Sequence, residues 1–138
     1  MLSQLVYISV RSAECSDSEI QKILESSIKN NGKINITGVL LYSDTKFIQC
    51  LEGEYAEIIS LYDKIKEDKR HKNVIMISLG GLKERLFPSW QMGSKKISLE
   101  DVEFNTQMTG EEKQEFKSIL NGEQQQSQKV MDIIKKFF

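Results

Sequence analysis

The order in which hydrophobic periods alternate constrains this chain more than any other feature. Residues 4–10 repeat every second position: Val6, Ile8 and Val10 share one face, and Leu5, Tyr7 and Ser9 the other. The period then changes to that of a helix. Ser16-Asp17-Ser18-Glu19 has capping-box spacing. Ile20, Ile23, Leu24, Ser27 and Ile28 follow at i, i+3, i+4, i+7 and i+8, an inward stripe. Asn30-Asn31-Gly32 predicts the helix end, with Gly32 in the left-handed position. Two apolar runs, 35–42 and 46–52, are joined by Ser43-Asp44-Thr45, a hairpin signal. A second helix is predicted over about 54–67, with Ile58, Leu61, Tyr62 and Ile65 as its stripe. A strand follows at 73–79, broken by Gly80-Gly81, and Trp90 to Ile97 supply a fifth. The order β-α-β-β-α-β-β predicts an α+β protein. Its architecture is a ferredoxin-like split βαβ with a five-stranded mixed sheet and both helices on one sheet face.

The tail has a different character. Thr109-Gly110-Glu111-Glu112 is another capping box, Phe116, Ile119 and Leu120 make a short stripe, and Asn121-Gly122 breaks it. Val130, Ile134 and Phe137 make a second stripe behind Gln124-Gln125-Gln126. Two helices with apolar faces must be buried either on the open sheet face or on a partner subunit. The expected division is a domain over 1–97 and a helical extension over 98–138.

Composition excludes several function classes. The 138 residues include 19 basic and 20 acidic side chains, a net charge of -1. Nucleic-acid binding needs a basic excess, so no such partner is expected. No apolar run reaches the ~18 residues of a membrane span. Met1-Leu2-Ser3-Gln4 has neither the charged nor the apolar segment of a secretory signal, so a cytoplasmic location is expected. Cys15 and Cys50 lie far apart in no redox or metal spacing, which suits a reducing compartment. A single histidine leaves no basis for a histidine metal site.

The informative residues are polar groups inside apolar elements. Gln49 lies between Phe47 and Leu51 on one face of a predicted central strand. Burying such an amide unpaired costs roughly 2–7 kcal/mol. It therefore has either ordinary protein partners or a ligand. Tyr7 shares its strand face with Ser9, and Asn30 and Asn31 close the first helix. Each has an ordinary structural explanation when taken alone. In a split βαβ, however, strand 1 and the strand carrying Gln49 are the two central strands. If both side chains point to the helices, a phenol, an amide and the Asn pair line one slot. That lining suits a planar ring with nitrogen and oxygen edges.

At these positions the chain resembles the BLUF domain, a flavin-based sensor of blue light. The matching pieces are Leu5-Val6-Tyr7-Ile8-Ser9, Asn30-Asn31 followed by Asn35-Ile36-Thr37-Gly38-Val39-Leu40, and Phe47-Ile48-Gln49-Cys50-Leu51-Glu52-Gly53. Asp68-Lys69-Arg70-His71 and Phe87-Pro88-Ser89-Trp90-Gln91-Met92 complete the set. They cover residues 2 to about 97, and their combination is specific where no single piece is. The resemblance implies a bound flavin, FAD with FMN or riboflavin as substitutes, held without a covalent bond between the two helices. It implies that Tyr7 donates an electron and a proton, and that Gln49 bridges Tyr7 to the flavin edge and rearranges its amide. Asn31 and Asn30 are implied to hold the carbonyl and pyrimidine side, and Ile23 and Ile65 to sandwich the ring. Asp68, Arg70 and His71 are implied near the ribityl or phosphate exit. Lys64 falls where many relatives carry Arg; it keeps the charge without the planar fork. Trp90 and Met92 are expected on the last strand, competing for the place beside Gln49, with Ser9 supporting the Trp90 alternative.

The chemistry is coherent with the residues. Gln is both donor and acceptor, so it can relay the proton of Tyr7 and return rotated or tautomeric. Cys50, beside Gln49, has no part to play and reads as a small buried hydrophobe. The expected protein is a short stand-alone sensor and not an enzyme. It signals through strand 5 and the C-terminal helices to a downstream signalling protein, as a homo-oligomer. The alternatives are a small ferredoxin-like enzyme, for which no phosphate loop, nucleophile elbow or metal cluster speaks, and a non-photoactive interaction module built on the C-terminal helices.

Overall fold

A computed structural model describes residues 1–98, 109–124 and 126–138. The elements of the first part are β1 (Leu2–Arg11), α1 (Asp17–Lys33), β2 (Thr37–Tyr42), β3 (Lys46–Glu54), α2 (Tyr55–Lys66), β4 (His71–Gly81) and β5 (Gly93–Lys96). They form one sheet in the order β4-β1-β3-β2-β5. β1 is antiparallel to both β3 and β4, β2 is antiparallel to β3, and β5 lies parallel to β2. β3 is therefore inserted between β1 and β2, the two strands that the α1 crossover connects. This is the ferredoxin-like split βαβ with a fifth strand added at the edge.

Three element boundaries differ from the sequence reading. α1 does not stop at Asn30-Asn31-Gly32. It continues to Lys33 with Gly32 inside the helix, and the left-handed residue is Asn35, at φ 56°. A glycine costs a helix only about 1 kcal/mol against alanine. Here the buried Asn31 beside it is anchored, because its side chain donates to Gln91 O and its carbonyl accepts from Ile36 N. β4 does not break at Gly80-Gly81: those glycines pair with Gln4 and Ser3 of β1, whose ladder carries them. β5 is only four residues long, so Trp90 and Met92 lie in the loop before it and not on a strand. The loop folds back on itself through Trp90 N to Phe87 O at 3.3 Å.

Alternation along the strands gives the sheet two apolar faces. On the first, Leu5, Tyr7, Leu40, Phe47 and Leu51 pack with Ile20, Ile23 and Leu24 of α1 and Ile58 and Tyr62 of α2. On the second, Val6, Ile8, Val39, Ile48 and Cys50 pack with two further helices, α3 (Gly110–Leu120) and α4 (Ser127–Lys135). Thr109 and Glu112 cap α3 reciprocally, and Gly122, at φ 81°, turns the chain after it. Phe116, Ile119, Val130, Met131 and Ile134 are all buried on this second face. The Cys50 thiol lies 3.5 Å from Met131 Sδ, and burial pushes it well above its ordinary pKa. Among the described residues no helix is long and apolar enough to cross a membrane.

Candidate functional site

The site begins with strand register. Tyr7 of β1 and Gln49 of β3 are direct cross-strand partners, so both side chains rise from the same face toward α1 and α2. The Tyr7 hydroxyl donates to Gln49 Oε1, and Gln49 Nε2 donates to Met92 Sδ at 3.3 Å. Tyr7 is fully buried, and burial pushes its phenol far above the ordinary value, with the nearby Asp68 charge adding to the effect. The phenol is therefore protonated and is a donor at every physiological pH.

A cavity of about 220 Å³ opens above this pair, between the two helices. Tyr7 and Gln49 are on its wall with Ile23, Asn30, Asn31, Lys64, Ile65, Asp68, Arg70 and His71. The ten residues assigned to a cofactor from sequence thus converge on one space. Ser26, Ser27 and Leu61 also line it, unpredicted. Ser27 had left a signal, being the one polar residue in the α1 stripe.

The far wall is held by an ionic clasp. Arg70 binds the Asp68 carboxylate with Nε at 3.0 Å and Nη2 at 2.6 Å, while Arg70 N donates to Asp68 Oδ1 at 2.9 Å. The guanidinium holds the Asp68 carboxyl below the usual carboxylate range. His71 Nδ1 lies 2.9 Å from Ser9 Oγ, and its ring packs 4.6 Å from Phe47. Ser9 is thus the partner of His71, where the sequence reading placed it in support of Trp90. Trp90 is 41% exposed, stacked 5.6 Å from Phe87 and 5.4 Å from the Phe138 ring. Met92 is buried, so it is Met92 and not Trp90 that occupies the place beside Gln49.

The sequence matches the family BLUF, described as sensors of blue light using FAD, over residues 2–93. The chain belongs to the BLUF family. The match spans both helices and every residue on the cavity wall. Among curated proteins, the beta subunit of a photoactivated adenylate cyclase from Euglena longa is 34% identical over 94 residues. That match takes in 67% of this chain but only 11% of the relative. Among solved structures, a bacterial light-regulated adenylyl cyclase superposes with a TM-score of 0.72 at 38% identity, covering 96% of this chain and 36% of that one. The BlsA ground state does so with a TM-score of 0.72 at 29% identity, covering 91% of both.

BLUF domains bind flavin, and the wall here fits one. Ile23 and Ile65 offer apolar faces for a flat ring, while Gln49 and Asn31 supply amides for its polar edge. Lys64 and Arg70 place cationic groups on the same wall for a phosphate-bearing tail.

His71 gives this BLUF chain an acid limit. Burial pulls the imidazole from 6.5 down to about 4, with Asp68 opposing the shift and Arg70 reinforcing it. The folded state therefore holds the ring neutral, while the unfolded chain takes up a proton as pH falls through 6.5. Stability is full above that value and declines toward pH 4, by up to about 3 kcal/mol. Denaturant melts at pH 7.5 and 4.5 should show this loss, and His71→Asn should remove most of it. Equal loss in both proteins would exclude His71 as its source.

Proposed function

We propose that this chain is a blue-light photoreceptor in which Tyr7 and Gln49 form the photoactive pair. The observation that carries the reading is the buried hydrogen bond from the phenol to the Gln49 amide on the floor of the cavity. A flavin held there by these residues would supply the blue absorption and, once excited, an acceptor for an electron from Tyr7. The residues then supply the proton chemistry. Tyr7 O–H is already directed at Gln49 Oε1, so the proton leaves along an existing bond. Gln49 Nε2 faces a thioether, a weak acceptor, at Met92. That bond is cheap to give up, so once its oxygen holds the Tyr7 proton the amide could release an Nε2 proton to the flavin edge that would have taken the electron, leaving a neutral Gln49 free to turn or to persist as the tautomer. FAD is the proposed form, with FMN or riboflavin able to occupy the ring site.

The route outward starts at Met92. β5 begins at the next residue, Gly93, and Lys95 Nζ in that strand bonds Phe137 O at 3.0 Å, just past α4. Trp90 meets Phe138 on the same side. A rearranged Gln49 is thereby read by residues 98–138, the proposed output segment, and passed to a downstream signalling protein. A homo-oligomer is the proposed assembly. Two of the relatives named above are cyclases of which this region is a minor share, whereas BlsA is matched over 91% of its length, and no enzymatic step is assigned to the chain itself.

The test is direct. The purified protein should be yellow, release a flavin on denaturation, and show a red shift under blue light that reverses in darkness. A protein that takes up no flavin, or whose bound flavin does not shift, overturns the proposal.

A further inference from the structure

We infer that Glu52 is a positioning residue for the switch: its buried carboxylate clamps the loop that brings Met92 to Gln49. The inference rests on the photoreceptor reading above. Glu52 lies three residues beyond Gln49 on β3 and points to the opposite sheet face, where it is 0% exposed. A buried carboxylate is costly unless its oxygens are filled. These are filled mainly by backbone of the β4–β5 loop. Leu86 N donates to Oε2 at 2.6 Å and Phe87 N to Oε1 at 2.9 Å, with Thr37 Oγ1 at 3.5 Å. Among the described residues no cation reaches the carboxylate. The nearby Arg85 instead ties Thr37 Oγ1, Glu52 O and Asn35 O.

From this anchor the loop runs five residues to Met92. Gly38 N holds Trp90 O at 2.9 Å, and Asn31 Nδ2 holds Gln91 O at 2.9 Å. β3 thus references both ends of the arm: Glu52 fixes its origin and Gln49 meets its tip. A strand is rigid over three residues, so the carboxylate sets where the Met92 sulfur can sit. An apolar residue would fill the same space without the desolvation cost but would leave two loop amides unpaired.

Glu52→Gln keeps the shape but turns a donor NH₂ toward one of the two loop amides. In the dark, amide exchange of residues 86–92 should rise about tenfold, the scale of one lost hydrogen bond to a charged group. The red shift should persist, because Tyr7 and Gln49 are untouched, while dark recovery accelerates by a similar factor. Met92→Ala should also accelerate recovery. If Glu52 acts through Met92, the double variant recovers at the Met92→Ala rate to within about twofold. Unchanged exchange and recovery in Glu52→Gln, or effects that multiply in the double variant, would overturn the inference. Should Glu52→Gln fail to hold flavin, Glu52→Asp carries the same readouts, since its shortened carboxylate cannot reach both amides. An unsubstituted protein that shows no red shift, yet whose loop loosens in Glu52→Gln, would overturn the photoreceptor reading and leave the clamp standing.

Discussion

Tyr7→Phe is expected to retain its flavin and to lose the light-induced red shift altogether. The substitution removes one oxygen from a side chain that is fully buried and whose ring packs 5.8 Å from Tyr62. The ring volume stays, so the floor of the cavity keeps its shape and binding survives. The hydroxyl proton directed at Gln49 Oε1 does not. Without it the amide oxygen has no proton to receive, and Gln49 has no reason to leave its contact with Met92 Sδ. The unpaired Oε1 costs roughly 1–3 kcal/mol of stability, which a melt will register. The deciding measurement is the light-minus-dark absorption spectrum at matched flavin occupancy. A full red shift in Tyr7→Phe would remove Tyr7 from the mechanism.

What the sequence could and could not reveal follows from the range of the forces involved. Alternation on β1 and β3 located the faces of Tyr7 and Gln49, since a period of two is set by the backbone alone. The caps at Ser16 and Thr109 were equally legible, because each is closed by a residue three positions on. The flavin was legible only through resemblance, as periodicity makes Tyr7 and Gln49 merely polar residues on a buried face. The misplaced boundaries were decided by distant partners. Gly32 looks like a helix end until Gln91, 60 residues after Asn31, holds that neighbour in place. Gly80-Gly81 looks like a break until β1 pairs with it. Trp90 and Met92 read as a strand because apolar alternation cannot tell a strand from a loop whose backbone is bound by Gly38 and Asn31. Ser9 and His71, 62 residues apart, gave no local sign of meeting. Glu52 sat inside a matched motif yet showed nothing of its role, which depends on amides more than 30 residues away.

Gly38→Ala is the substitution expected to damage the protein most. Gly38 sits near the start of β2 at φ 155°, a conformation that only glycine adopts without strain. A Cβ there would overlap the Cys50 carbonyl oxygen on β3 and lie 3.0 Å from its carbon. These are backbone atoms of a central strand, so no side chain can swing aside to make room. Backbone strain of roughly 1–3 kcal/mol combines with overpacking of similar size. The sum is about 4 kcal/mol, a large share of the ~5–15 kcal/mol that holds a domain folded. For a chain of this length that corresponds to a melting point lower by about 10–20 °C. The lesion also reaches the switch. Gly38 N holds Trp90 O, and the preceding Thr37 holds the Glu52 carboxylate, so prising β2 from β3 releases the Met92 arm at two points. Flavin-bound Gly38→Ala protein, where it can be obtained, should therefore recover in the dark faster than its parent. Gly110→Ala is the matched control, because a Cβ at that position meets nothing within 4 Å and extends the first turn of α3. A Gly38→Ala protein that melts with Gly110→Ala would show that β2 and β3 separate at Gly38 at little cost. The rigid frame from which Met92 is positioned would then have to be sought elsewhere in the sheet.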